Sequence, residues 1–131
     1  MEMKRSLLLL VIFCFLSACT HRSYVAPVIV VSGCDTAVVT YHADIQPMLA
    51  ANCYSCHATT VTQSGGLDLE DFTSLKAYLQ NGFRGDGVYG SKLYHCMLHS
   101  SLALPMPPTY VVDSCSLNKV KRWMDQGGVN N

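Results

Sequence analysis

The apolar residues of this chain recur at helical spacing, three or four positions apart, in four separate stretches. These stretches predict helices within residues 35–52, 70–80, 91–100 and 113–126. The first predicted helix runs directly into Cys53. Apart from the β-branched run at residues 28–31, which has the composition of an extended strand, the chain shows almost no strand pattern. It therefore predicts an all-α fold, and 131 residues provide enough chain for one domain.

Capping residues indicate where these helices begin. Asp44 is the predicted cap of the first helix, because Pro47 then falls in the first turn, where proline is tolerated. Ser91 is the predicted cap of the third helix, and Asp113 or Ser114 that of the last helix.

The N-terminal segment is typical of a signal for export. Lys4 and Arg5 precede an uncharged apolar run at residues 7–16. That run is shorter than the ~20 residues that an ordinary transmembrane helix needs. A basic start followed by a short apolar run is the usual form of a signal peptide. We expect residues 1–18 to be removed from the mature protein.

The end of this segment resembles the lipobox of bacterial lipoproteins. Small residues lead to Cys19 in the sequence Leu16-Ser17-Ala18-Cys19, in which the cysteine receives the lipid and becomes the mature N-terminus. Ordinary signal-peptidase cleavage is the alternative. The lipobox predicts lipidation at Cys19, a tether at residues 19–33 and a domain at residues 34–131. The protein would then lie in the bacterial cell envelope and face the periplasm or the outer surface.

The charge of the mature chain excludes one class of partner. Without residues 1–18 it has seven basic and eight acidic side chains, a net charge of −1. Nucleic-acid binding needs a clustered basic face, so no nucleic-acid partner is expected. Association with the membrane would depend on the lipid rather than on charge.

The most specific motif is Cys53-Tyr54-Ser55-Cys56-His57. A C-x-x-C-H run is the signal for covalent attachment of c-type haem. The spacing suits the chemistry, because two thiols on one turn can form thioethers with the two vinyl groups, and the adjacent His57 can coordinate the iron. The motif occurs once, so one covalent haem c is expected.

A second informative stretch follows at residues 102–108, where Met106 lies among three prolines. Proline excludes a helix here and stiffens the backbone. Such a loop can present the Met106 thioether to the iron from the side opposite His57, and Met–His ligation is a known haem arrangement. Met97 or a histidine, His95 or His99, remains the alternative distal ligand.

The remaining cysteines predict a disulfide. Export places them where disulfides persist. Cys34 comes just before the first predicted helix and Cys115 near the start of the last, so a bond between them would close a loop of about 80 residues. Cys96 is then unpaired, although a pairing that includes Cys96 stays open because sequence does not determine connectivity.

Between about residues 34 and 128 the chain resembles a small monohaem c-type cytochrome domain of the bacterial lipoprotein kind. The resemblance rests on a helix that leads into the C-x-x-C-H motif, on Met106-Pro107-Pro108, and on a last helix that carries Trp123. It implies an α-helical fold wrapped around one haem, with the first and last helices packed across each other. It also implies thioethers at Cys53 and Cys56, His57 as proximal ligand and Met106 as distal ligand.

An iron with both axial positions filled has no open site for a substrate. The leading hypothesis is therefore a non-enzymatic electron carrier, held at the membrane by its lipid, with redox proteins of unknown identity as partners. The alternative is a haem enzyme or gas sensor whose distal ligand leaves easily. A thioredoxin-like module needs a βαβ context that this chain does not show, and a structural zinc site needs four ligands at paired spacing. Arg84 is a candidate partner for a haem propionate, although a solvated surface arginine is the favoured interpretation.

Overall fold

The computed structural model describes residues 33–61 and 66–131, and all regular structure in these ranges is helical. The prediction of an all-α domain is confirmed to that extent. The predicted signal peptide, Cys19 and the strand at residues 28–31 lie outside the described residues. Within the described ranges, no helix has both the length and the apolar character needed to cross a membrane.

The elements are short and follow one another closely. A π-helical turn precedes α1, and a 3₁₀ turn lies between α3 and α4. The bounds are Tyr41–Ile45 for the π turn, Gln46–Asn52 for α1, Tyr54–His57 for α2, Phe72–Leu79 for α3, Phe83–Gly85 for the 3₁₀ turn, Ser91–Met97 for α4 and Ser114–Asp125 for α5.

The first helical segment begins earlier than the sequence predicted. Thr40 is its cap, because the Thr40 hydroxyl accepts the Ala43 N–H at 3.3 Å. Asp44 lies inside the π turn instead, where it accepts the N–H of Thr40 at 3.0 Å. The two side chains thus satisfy backbone donors reciprocally at the helix start. The Asp44 carboxylate also pairs with Lys119 Nζ of α5 at 2.7 Å, so a contact distant in sequence determines its role.

The hydrophobic core centres on Trp123 of α5, whose side chain is fully buried. Its ring lies 5.7 Å from that of Tyr41, so the π turn that leads into α1 packs against the last helix. The Trp123 indole N–H donates to the carbonyl of Val129 at 2.9 Å, which satisfies the buried polar group. Other fully buried core residues are Ile45, Leu49, Leu75, Leu79, Met97, Leu117 and Val120.

The helix that the sequence predicted at residues 91–100 is α4, and it differs from its prediction at both ends. Its cap is Gly90, at φ +73°, and a Cβ on Gly90 would collide with the sulfur of Met124. The Ser91 hydroxyl therefore does not cap the helix. It accepts the Phe83 N–H at 2.6 Å and donates to Asp86 at 3.0 Å. At the other end the helix stops at Met97 and not at residue 100, and His99 has a φ of +53°.

A disulfide joins Cys34 to Cys115, the two cysteines that the sequence analysis paired, with Cα atoms 5.5 Å apart. It ties the start of the described chain to the first turn of α5, across a separation of 81 residues. Cys96 has a free thiol.

Removing this disulfide should lower the stability of the domain. The cross-link restricts the unfolded chain over a long loop, which in the chain-entropy description is worth about 4 kcal/mol. We expect the double variant C34S/C115S to lose roughly that amount of unfolding free energy, measured by denaturant titration without reductant. The C96S variant, which keeps the bond, is the control. Equal transition midpoints for the double variant and the parent would contradict the expectation.

Stability should also depend on Asp44 below neutral pH. The hydrogen bond from Lys119, followed by that from Thr40, holds the pKa of the Asp44 carboxyl below its ordinary value. A lowered folded-state pKa means that the carboxylate stabilises the fold above about pH 4 and loses this effect as pH falls through the folded pKa. The D44N variant should therefore lose about 1–2 kcal/mol at pH 7, and the difference from the parent should shrink below pH 4.

The matched control is D125N. Asp125 pairs with Lys121 on the surface of α5 and its side chain is half exposed, and exposed pairs of this kind contribute little. A loss at D125N as large as that at D44N, in the same pH series, would contradict the account of Asp44.

Candidate functional site

The C-x-x-C-H segment continues the hydrogen bonding of α1 into one further turn. The Cys53 N–H donates to the Leu49 carbonyl at 2.7 Å. The carbonyl of Cys53 then accepts from the N–H groups of Cys56 at 3.1 Å and His57 at 2.9 Å. This turn brings the two cysteines and the histidine to a single cavity, which all three residues line.

The cavity has a volume of about 870 Å³, within the range of sites that bury a small molecule or a cofactor. The first wall is the lining contributed by the end of α1, by α2 and by residues 67–69. The second wall is the lining contributed by α4 and by the loop at residues 102–110. Most lining side chains are apolar, among them Leu67, Leu69, Phe83, Leu93, Met97, Leu102 and Leu104.

The cavity opens to solvent beside Leu102, Leu104 and Tyr110, whose side chains are exposed. Its apolar lining suits a ligand with a large apolar body.

His57 is fixed in the first wall through both its backbone and its ring. The His57 carbonyl accepts the Leu69 N–H at 2.8 Å, and His57 Nδ1 lies 3.3 Å from the Leu67 carbonyl. Because a carbonyl only accepts hydrogen bonds, Nδ1 carries the proton and Nε2 keeps a lone pair. A histidine whose second nitrogen donates to a backbone carbonyl is the usual form of a metal-ligating imidazole.

The two thiols of the motif differ in their surroundings. Cys56 is exposed and Cys53 is half-buried, and no disulfide joins them. Burial raises the pKa of the Cys53 thiol to about 11. Cys53 is therefore a neutral thiol at pH 7 in the folded chain.

Met106 and Met97 both line the cavity. They differ in accessibility, because Met106 is 39 % exposed and Met97 only 1 %. Both methionines that the sequence left as candidate distal ligands therefore border the cavity, and Met106 is the more accessible of the two.

The two histidines considered as distal ligands are not among the lining residues. The ring of His95 packs against that of Phe83, with centroids 4.7 Å apart, and its Nδ1 lies 3.1 Å from the Ser100 hydroxyl. His99 Nε2 lies 2.7 Å from the carbonyl of Pro107. Within residues 33–61 and 66–131, no group of three or more His, Cys, Asp or Glu side chains is placed to hold a metal ion.

The loop that carries Met106 is attached to the rest of the domain at both ends. The Met106 N–H donates to the Cys96 carbonyl at 3.0 Å, at the end of α4. The Tyr110 hydroxyl donates to Asn52 Oδ1 at 3.0 Å. Because Asn52 is the last residue of α1, this second bond connects the two walls of the cavity.

Several lining residues were not predicted as part of the site. Lys92 and Cys96 are four positions apart on α4 and so lie on the same face of the helix. Tyr78 lines the cavity beside them, with Lys92 Nζ 5.2 Å from its ring centroid. Burial, together with the neighbouring Cys96, raises the pKa of Tyr78 to about 12. The helical spacing of residues 92, 93, 96 and 97 was the sequence signal that could have found this wall.

Two other residues that the sequence analysis named do not line the cavity. Arg84 is exposed, as the interpretation of a surface arginine expected, and packs over the ring of Phe83, 5.2 Å from its centroid. Trp123 belongs to the hydrophobic core.

Comparison with known proteins identifies no family for the chain. No family model matches it, and no curated protein or solved structure matches it significantly. Any assignment of function therefore depends on the motif and on the geometry of the cavity.

Proposed function

We propose that this chain is a small monohaem c-type cytochrome that carries electrons between partner proteins. The observation that supports this best is the convergence of Cys53, Cys56, His57 and Met106 on one large apolar cavity. Met106 is far from the motif in sequence, so its presence in the same cavity is a consequence of the fold. In this proposal the cysteines form the thioethers, and His57 and Met106 are the axial ligands.

The residues of the cavity fit a haem in their chemistry as well. The apolar side chains suit the face of a porphyrin, and the Nδ1–H tautomer of His57 leaves Nε2 for the iron. Lys92 lines the cavity and carries a positive charge that suits a haem propionate. In this proposal it takes the role for which the sequence analysis considered Arg84. When bound, the haem supplies one-electron chemistry, and the chain sets its potential through the axial ligands and the burial of the site.

The proposal of an electron carrier, and not an enzyme, follows from a filled sixth position. With Met106 on the iron, no axial position would remain for a substrate. Leu102, Leu104 and Tyr110 are exposed at the cavity, and they form the surface that we expect a redox partner to contact. Such encounters are small and weak. Lipidation at Cys19 would hold the domain at the membrane of the cell envelope.

A haem enzyme or gas sensor is the second candidate. The observation that favours it is the exposure of Met106, which is 39 %, since an accessible ligand can be displaced. Tyr78 and Tyr110 are the hydroxyl-bearing tyrosines that line the cavity, although the Tyr110 hydroxyl donates its proton to Asn52; His95 and His99 do not line it.

The first test is covalent haem attachment in a host that has the attachment machinery. We expect the purified protein to carry one haem that survives denaturation, and C53A/C56A to carry none. The ferrous spectrum of the parent should not change when CO is added, because both axial positions are filled. If the parent chain carried no haem after denaturation, there would be no covalent attachment and the proposed function would be wrong. A clear CO shift would favour the sensor or enzyme.

The second test distinguishes the two methionines. M106A should open the iron to CO and lower the reduction potential, because thioether ligation raises that potential. M97A is the control: it should retain the closed spectrum, although the loss of a buried methionine costs about 2–5 kcal/mol of stability. The reverse result, an open iron in M97A and a closed iron in M106A, would assign the distal ligand to Met97.

A further inference from the structure

The loop that carries Met106 has an unusual shortage of backbone hydrogen-bond donors. Three of the four residues at positions 105–108 are prolines, which have no N–H. The single donor, the Met106 N–H, is used on the Cys96 carbonyl at 3.0 Å. Any further attachment of this stretch through its backbone must therefore use its carbonyl groups, with donors supplied from elsewhere.

His99 supplies such a donor. Its Nε2 lies 2.7 Å from the carbonyl of Pro107, the residue that follows Met106. The carbonyl can only accept, so Nε2 carries the proton and donates. The ring is half-buried in this position, and the contact is shorter than the ring contacts of His42 and His57, at 3.1 and 3.3 Å.

The backbone of His99 belongs to the turn that follows α4. His99 has a φ of +53°, in the left-handed region, where histidine is among the non-glycine residues that are enriched. Its N–H donates to the Cys96 carbonyl at 3.2 Å, the same carbonyl that accepts from Met106. One carbonyl at the end of α4 thus joins the turn that carries His99 to the loop that carries Met106.

We propose that His99 is a positioning residue that holds the Met106 thioether on the iron. This rests on the proposed function. The hydrogen bond from His99 to the Pro107 carbonyl holds the loop beside α4. Without it, residues 105–108 keep the backbone hydrogen bond of the Met106 N–H, and the next side-chain bond of the loop is that of Tyr110 to Asn52. His99 therefore determines how often the sixth position opens, and with it whether the site serves electron transfer or admits an external ligand.

The test uses H99G in the haem-loaded protein. Glycine adopts the φ of residue 99 without strain, so the turn persists while the donor is removed. A neutral hydrogen bond contributes about 1 kcal/mol, so the open fraction, and the apparent affinity for CO, should rise about fivefold. The reduction potential should fall at the same time. H99N, which also tolerates this backbone conformation but has a shorter side chain, should behave in the same way and replaces H99G if that variant does not fold.

Two controls separate positioning from a general loss of structure. H42A removes an exposed histidine, whose Nδ1 lies 3.1 Å from Gln46 Oε1, and should leave both CO affinity and potential unchanged. In an M106A background, H99G should have no further effect on CO affinity, because no thioether remains to be held.

The outcomes distinguish this inference from the proposed function. A parent chain without covalent haem would remove the proposed function, and the role of His99 with it. A parent that carries haem and is closed to CO, with H99G and H99N equal to it in CO affinity and potential, would overturn the role of His99 alone. An equal effect of H99G in the presence and absence of Met106 would overturn it as well.

Discussion

Two hydrogen bonds between His57 and the segment at residues 67–69 hold the wall on which the rest of the site depends. The four residues of α2 are too few to form a stable helix on their own, because helix formation begins with a costly nucleus. The turn persists because α1 leads into it through the Cys53–Leu49 bond, and because His57 is bound on its far side through Leu67 and Leu69. These two hydrogen bonds therefore position the turn, and the bond to Leu67 also selects the tautomer of His57.

The core and the cavity overlap in part, because Leu69, Leu93 and Met97 are buried core residues that also line the cavity. Trp123 and α5 pack against the π turn, and the disulfide at Cys115 joins α5 to the start of the described chain. None of the residues of α5 lines the large cavity. The last helix thus stabilises the scaffold, while α2, α4 and the Met106 loop form the candidate site.

The helical segments were predictable from the sequence, whereas their ends and several roles were not. Apolar spacing indicates all four stretches, because burial of one face is a local property of the sequence. Asp44 was misassigned as a cap because its partner Lys119 is 75 residues away in sequence. Ser91 was misassigned because its hydroxyl serves Phe83 and Asp86 instead of the helix. Such contacts exist only once the chain is folded.

The candidate site shows the same limit. The motif residues could be named from the sequence because a C-x-x-C-H signal requires fixed residue types at a fixed spacing, and Met106 because it lies among three prolines. All four line the cavity. The sequence raised His95 and His99 as possible ligands, yet their side chains face Phe83, Ser100 and Pro107. Lys92 and Cys96 belong to no recognisable sequence motif. They are part of the second wall only because the fold places α4 beside the cavity.

The two walls of the cavity are attached in different ways, and this difference bears on what the site can do. In the first wall, the turn that carries His57 follows α1 directly, and the His57 ring and backbone bind it again to residues 67–69. In the second wall, Met106 lies on a proline-rich loop that is held by the Cys96 carbonyl, by His99 and by the Tyr110–Asn52 bond. Each of these bonds contributes about 1 kcal/mol, and they act on a loop that has one backbone donor at residues 105–108. In the proposed haem-bound protein, exchange of an axial ligand should therefore begin on the Met106 side, since residues 102–110 contribute none of the buried core residues.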